Sequence, residues 1–295
     1  MDPEGPYIGH PERVGAPHPL PVDAAHLRRY GHRTTGEPTY AFANARAVQR
    51  ERLRTLEALF DGGTIRHLEA LGIRPDWRCL EVGAGSGSIA LWLADHAGTV
   101  VAADLDTTVL GDLSRPNLTV KPHDVMRDDL PEGEFDLIHM RLLLAWLPDP
   151  CEAVRRLTRA LKRGGILMAE ELDFVSAVPD PRMRGDTARA FAKVAAAHNA
   201  VLADHHGFDP YYGRRVAGDL AGELAGVECE ARATMWRGGE RGGAIWRLTL
   251  AQLRDEIVED GLATSAEIAT VVEHTGDPEF SSLSPLLMAA WGRRA

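Results

Sequence analysis

The stretch Cys79-Leu80-Glu81-Val82-Gly83-Ala84-Gly85-Ser86-Gly87-Ser88 passes from an apolar run through a glycine-rich turn into the start of a helical pattern. Glycines at 83, 85 and 87 allow backbone conformations closed to other residues and let a ligand approach the chain closely. They also leave N–H groups directed outward at the N-terminus of a helix beginning near Ser86. The spacing is G-x-G-x-G, whereas a turn that seats the pyrophosphate of a dinucleotide has G-x-G-x-x-G. Glu81, two residues before the first glycine, would repel a diphosphate and suits a ligand carrying positive charge.

The chain on either side has the same rhythm. Candidate strands over 78–82, 99–103, 118–121, 135–139 and 165–170 are interspersed with candidate helices over 88–96, 107–113 and 151–161. Such alternation implies right-handed βαβ units in a doubly wound, mostly parallel α/β sheet covered on both faces. Two strand ends carry further acids. The run VVAAD (100–104) ends in Asp104, whose carboxylate offers two acceptors to the paired hydroxyls of a ribose; capping a following helix is the alternative role. Leu105 is then placed to cover one face of an adenine. HDV (123–125) closes the third strand, with Asp124 as acceptor for an adenine amino group and the Val125 N–H as donor to a ring nitrogen. A ligand lying across the carboxyl edge of a parallel sheet calls for this one-acid-per-strand arrangement.

Residues 1–38 are rich in Pro, Gly and His without a sustained period, the composition of a flexible lead-in. A helical pattern runs from Tyr40 to Leu71, with Val48, Leu53, Leu56 and Phe60 at three- to four-residue spacing. Gly62 and Gly63 are expected to break it, with Thr64 capping a second helix over 65–71. The Arg and Glu residues over 49–57 read as a solvated face with i,i+4 pairs. Beyond Asp173, helices are expected over 188–204, 214–224, 248–259 and 265–273, and a last strand over 283–291. The organisation is thus a flexible segment (1–38), an N-terminal helical lid (39–75), a nucleotide-binding core (76–175), a helical cap insertion (176–225) and a part that completes the sheet with helices (226–295).

Composition narrows the function. A net charge of −10 without a basic run disfavours nucleic acid, because phosphate binding needs a clustered cationic face. Cys79, Cys151 and Cys229 are widely spaced, which suits neither a disulfide framework nor a cysteine-rich metal site and fits a reducing compartment. The sequence shows no signal-like N-terminus and no apolar run of membrane-span length, so no membrane partner and a cytoplasmic location are expected.

Taken together, LEVGAGSGS (80–88), VVAADLD (100–106), HDV (123–125), FDLIHMRLLLAWLPDP (135–150) and LKRGGILMAEELD (161–173) resemble the class I S-adenosylmethionine-dependent methyltransferases. The flanks YAFANARAVQRERL (40–53), GFDPYYGRRV (207–216), WRLTLAQLRDEIVEDGL (246–262) and SPLLMAAWGRR (284–294) look like an actinobacterial subgroup that modifies small secondary metabolites. The resemblance implies a seven-stranded Rossmann-like sheet and S-adenosyl-L-methionine as cofactor. It implies donor-binding roles for Glu81, Gly83, Gly85 and Gly87, with Ala84 among them, for Asp104 with Leu105 beside it, and for Asp124 with Val125. It also suggests that Tyr40 and Asn44 close over the donor. Arg141 either positions the donor or pairs with a surface acid. Trp146 stands where relatives often have His or another polar residue, so no catalytic histidine carries over to that position.

Methyl transfer from a sulfonium needs the acceptor held in line with the methyl group, and positioning alone supplies much of the rate. A general base is required only for a protonated, weakly acidic acceptor. His139, ending the fourth strand, Glu171 or its neighbour Glu170 after the fifth, and His205 are the candidate catalytic groups; each has the alternative reading of a side chain satisfied by ordinary hydrogen bonds. Tyr40, Phe42, Trp146, Phe174, Phe208, Tyr211 and Tyr212 are the aromatic residues available to line an acceptor chamber. Trp146, Phe174, His198, Tyr211 and Tyr212 are the expected substrate contacts, suiting a planar or hydrophobic small molecule. His198, His205 and His206 fall at i, i+7 and i+8, on one helix face with Leu202, without the tight spacing of a metal site. The expected function is methyl transfer to O, N or C of a small molecule, with a homodimer considered. The alternatives are a donor-binding protein without methyl transfer and a nicotinamide-dependent oxidoreductase.

Overall fold

The computed structural model describes residues 46–295 apart from Val109 and Asp112. The expected flexible segment 1–38, together with Tyr40, Phe42 and Asn44, lies outside the described residues. Helix α1 (Arg46–Leu71) leads into β1 (Arg78–Val82), α2 (Ser88–His96), β2 (Thr99–Asp104), β3 (Leu118–Pro122) and β4 (Phe135–Arg141). Then come α3 (Pro150–Ala160), β5 (Leu161–Asp173), the short β6 (Val178–Pro179), α4 (Gly185–His206) and α5 (Val216–Ala221). After them follow β7 (Ala225–Arg232), β8 (Met235–Arg237), α6 (Arg241–Glu259), α7 (Ser265–His274), β9 (Ser281–Leu283) and β10 (Leu286–Arg293).

Seven strands form one sheet in the order β3-β2-β1-β4-β5-β10-β7. Strands β1 to β5 pair in parallel, and β10 runs antiparallel to both β5 and β7. The sheet is doubly wound and mostly parallel, the Rossmann-like methyltransferase arrangement. A second, three-stranded sheet joins β6, β9 and β8. Strand period explains the two-sided core. Cys79, Leu137 and Met168 pack on one face with Leu68, Ile89 and Leu93. Leu80, Ile138 and Leu167 pack on the other with Val154, Leu157 and Leu220. Glu81, His139 and Glu170 each lie two residues beyond a member of the first set, so they share its face near the strands' carboxyl ends. The strand order reverses at β1, between β2 and β4, and that is where an open α/β sheet leaves a crevice.

Several elements differ from the sequence reading. Helix α1 runs unbroken through Gly62 and Gly63, because Phe60 before them and Thr64, His67 and Leu68 after them are all buried. That burial outweighs the roughly 1 kcal/mol that each glycine costs a helix. A Cβ at Gly63 would come within 2.7 Å of the Arg232 guanidinium, so the glycine lets α1 lie close to β7. Among the described residues of the expected helix over 107–113 there are turns instead: Leu110 N–H bonds to Thr107 C=O and Leu113 N–H to Leu110 C=O, while Asp106 accepts from Thr108 N–H. These three-residue bonds and an Asx turn compete with a helix. β7 was not anticipated, since its residues are mostly exposed and lack an apolar alternation. The last strand divides into β9 and β10 on two different sheets.

Candidate active site

A cavity of about 790 Å³ opens at the carboxyl ends of β1, β2, β3 and β4 and is roofed by α1 and α4. Glu81, Asp104 and Asp124 all stand on its wall, as do Gly83, Ala84, Gly85, Leu105 and Val125. Gly83 and Gly85 have φ of 69° and 58°, the left-handed region that glycine enters without strain. Gly87 stands behind the wall as the left-handed N-cap of α2, where a Cβ would fall 2.1 Å from Leu113.

Asp104 ties the loop to β2. Its Oδ2 accepts from Gly85 N–H at 2.9 Å and its Oδ1 from Asp106 N–H at 3.1 Å. Burial pushes this carboxyl above its ordinary range, with those N–H groups opposing the shift. Leu105 beside it is 73% exposed, an uncovered apolar side chain at the cavity rim. Asp124 Oδ1 accepts from Met126 N–H at 2.9 Å, while Val125 is buried.

Beneath the loop runs a buried polar network. Glu81 and His139 are register partners on β1 and β4, and Glu81 Oε2 lies 2.7 Å from His139 Nδ1. His139 Nε2 lies 3.4 Å from Glu170 Oε2, which also accepts from Thr64 Oγ1. Glu170 Oε1 is 3.5 Å from His67 Nδ1, and His67 Nε2 is 3.4 Å from Glu230. Burial alone would drive His139 toward neutrality, but the charge of Glu81 and the bonds to both carboxylates outweigh it, so the ring is pushed up to about 9. Glu170 is held well below the usual carboxylate range: its own burial is overcome by the bonds from His139 and His67. His139 therefore lies behind the cavity and does not border it, which corrects its assignment as a catalytic group. Arg141 borders the cavity, and its guanidinium donates to Thr64 Oγ1 and to the partly exposed acid Asp61, both at 2.8 Å and both on α1.

The far end of the cavity is aromatic. Trp146, Phe174 and Phe208 line it, with ring centroids 4.6 Å apart for Trp146–Phe208 and 5.2 Å for Phe174–Phe208. His198 borders the same space, 5.6 Å from Phe174; burial and the nearby Arg52 lower it to about 4, so the ring is neutral. Glu171 is on the wall and buried. Its Oε1 accepts from Leu143 and Leu144 N–H at 2.9 and 2.6 Å, and burial still pushes the carboxyl up to about 8. Three expected site residues lie elsewhere. His205 turns to α6, with Nε2 2.7 Å from Asp260, because one helical step separates it from His206, which does reach the cavity. Tyr212 is fully buried in the core, and Tyr211 packs under the Arg214 guanidinium at 5.3 Å.

The N-terminal helix supplies a wall, as expected of a lid, but its charged residues over 49–57 do not form the purely solvated face that their sequence suggested. Gln49, Arg50, Arg52, Leu53, Leu56 and Glu57 of α1 border the cavity, Arg52 buried and Arg50 also exposed to solvent, and Glu57 accepts from Ser86 Oγ of the glycine loop. The available signal was the apolar pair Leu53 and Leu56, which share a face with these charges. Among the described residues, no helix is long and apolar enough to cross a membrane.

Residues 40–215 match a family model described as a methyltransferase domain. A demethylmenaquinone methyltransferase of Beutenbergia cavernae is 28% identical over 173 residues, which are 58% of this chain and 70% of that protein. Methyltransferase str3 of Strobilurus tenacellus is 25% identical over 150 residues, 50% of this chain and 52% of that protein, so the chain spans about half of that relative's length. Phosphoethanolamine N-methyltransferase 2 of Haemonchus contortus, solved with phosphomonomethylethanolamine and S-adenosylhomocysteine, superposes with a TM-score of 0.50 at 14% identity over 83% of this chain and 58% of that one, a likeness of fold. More than half of the chain thus falls within one family model, on a sheet that opens its crevice at the β1 reversal, and the chain belongs to the class I S-adenosylmethionine-dependent methyltransferases.

Proposed function

We propose that the enzyme methylates O, N or C of a planar, largely apolar small molecule, in the manner of secondary-metabolite methyltransferases. The observation that carries this reading is the aromatic group Trp146, Phe174 and Phe208 on the same cavity as the three strand-end acids. The name of the bacterial relative, which contains demethylmenaquinone, points to a planar ring compound as that protein's acceptor.

The residues present fit the donor. Asp104 is the acceptor for ribose hydroxyls, Asp124 and Val125 N–H meet the adenine under Leu105, and Glu81 with the glycine loop meets the cationic end. Bound there, S-adenosylmethionine supplies a methyl group on a cationic sulfur that leaves as a neutral thioether. The chain's own work is to position and to exclude water. Helix α1, as lid, and the 176–225 segment, as cap, enclose the acceptor against the sheet edge. For a hydroxyl acceptor, neutral His198 is the side chain available to take the proton. Glu171 keeps its own proton up to about pH 8 and serves the loop after β4.

A panel of planar phenols, quinols and aryl amines, offered with deuterated methyl donor and read by mass spectrometry, identifies the acceptor. With any acceptor found, Trp146→Ala is expected to raise its KM about tenfold or more, the loss of one aromatic wall. Donor affinity should stay within about twofold, since Trp146 stands with the aromatic group away from the strand-end acids. An unchanged KM in the folded variant overturns the aromatic-chamber reading.

A further inference from the structure

We infer that His139 is a positioning residue for the methyl donor: clamped between two buried carboxylates, it keeps Glu81 charged and aimed at the cavity. The inference rests on the reading that Glu81 meets the donor's cationic end.

The geometry is a buried row across three adjacent strands. Glu81, His139 and Glu170 come from β1, β4 and β5, are at most 4% exposed, and connect at 2.7 and 3.4 Å. Two carboxylates that close, in a dry interior, cannot both stay ionised without a cation between them. Among the described residues, His139 is the group in contact with both. The other charged or polar groups facing the row favour Glu170. On α1, Thr64 donates to it and His67 lies 3.5 Å away; Arg141 on β4 reaches Thr64 and Asp61, and Glu230 on β7 backs His67. Among the described residues, the side-chain partner of Glu81 is His139, and Glu81 borders the cavity. If the histidine's charge is removed, the pair must take up a proton in its place, and Glu81 is the carboxylate left with fewer supporting groups. The cationic ligand then loses its counter-charge.

A purely structural histidine and an electrostatic one give different results. Donor binding is read by isothermal titration calorimetry on the full chain with S-adenosyl-L-methionine, at about pH 7 and about pH 9, alongside thermal unfolding. His139→Gln is expected to weaken binding about tenfold or more at the lower pH and to recover within about threefold of wild type at the higher, as the carboxylate pair sheds the proton taken up in place of the histidine's charge. Adding Glu170→Gln to His139→Gln removes the competing carboxylate and is expected to restore binding at pH 7 as well. Wild-type affinity in folded His139→Gln, or a loss equal at both pH values and not relieved by Glu170→Gln, overturns the inference. Glu81→Gln separates the two readings: it should weaken binding at both pH values, and if it does not, the donor role of Glu81 fails with everything built on it. Should His139→Gln not fold, histidine-selective ¹⁵N spectra of the wild type decide. A ring protonated on both nitrogens at pH 7 supports the clamp, and a neutral ring overturns it.

Discussion

Replacing Asp104 with alanine removes a carboxylate that holds Gly85 N–H at 2.9 Å and Asp106 N–H at 3.1 Å, and that we assign to the ribose. A hydrogen bond to a charged group contributes about 1.5–3 kcal/mol. Two such bonds to a ribose, each at the lower bound, amount to about 3 kcal/mol. Some of that is recovered because the variant no longer desolvates a carboxylate, and some is added because Gly85 loses its tether and the loop relaxes. At about 1.4 kcal/mol per factor of ten, Kd should rise between about tenfold and about a hundredfold. Asp104→Asn keeps an acceptor without the charge and should fall between alanine and wild type. The assay is calorimetric titration with S-adenosylhomocysteine, which shares the ribose, with thermal unfolding run in parallel. Because burial raises this carboxyl, wild-type affinity should fall as pH is lowered through the raised value, and the alanine variant should lack that dependence. A folded Asp104→Ala protein that binds with unchanged Kd refutes the assignment.

Two further substitutions test the loop and the acceptor wall. Gly85→Val forces a β-branched residue to φ 58° and places its side chain toward Leu53, 3.7 Å from the added Cβ, so donor binding should be lost while the fold survives a strain of about 1–2 kcal/mol; binding retained in a folded variant contradicts the cradle. Glu171 keeps its proton up to about pH 8 in the folded state but releases it near 4.5 when unfolded. Its folded-state pKa is raised, so the stability it contributes is present at low pH and is lost as pH rises from about 5 to about 8. Glu171→Gln keeps an acceptor for Leu143 and Leu144 N–H without that dependence. Its Tm relative to wild type should therefore climb by several degrees over the same range, at about 2–4 °C per kcal/mol for a chain of this size. A difference that does not move with pH would show that Glu171 is ionised at neutrality.

The convergence of the three acids on one cavity was legible because their positions are fixed by strand ends. Once VVAAD and HDV read as parallel strands beside the glycine loop, the sheet edge brings Asp104, Asp124 and Glu81 together without any further packing information. The expected break at Gly62 and Gly63 failed for a reason invisible in sequence, since what carries α1 through is burial of Phe60 and Leu68 against elements far along the chain. The histidines of α4 show the same limit. Spacing put His198, His205 and His206 on one helix, but the direction of His205 depends on Asp260, 55 residues away. His139 read as a reactive group at a strand end because a lone sequence does not reveal that the residue beside it in register is Glu81.

β5 joins the His139 network to the segment leading to the aromatic end of the cavity, because its successive side chains point to opposite faces. Glu170 turns its carboxylate to the His139 network, while its backbone C=O accepts from Leu142 N–H at 2.8 Å. Glu171 turns the other way and holds Leu143 and Leu144 N–H. Leu142 sits between these anchors at φ 57°, the one non-glycine residue with positive φ among the described residues. A leucine in that region costs about 1–3 kcal/mol and persists only where the surroundings over-determine it. Here three N–H groups bonded to β5, one to the Glu170 C=O and two to the Glu171 carboxylate, do so, and the segment they hold carries Trp146 four residues on. The aromatic wall and the charge network behind Glu81 are therefore fastened to neighbouring residues of one strand.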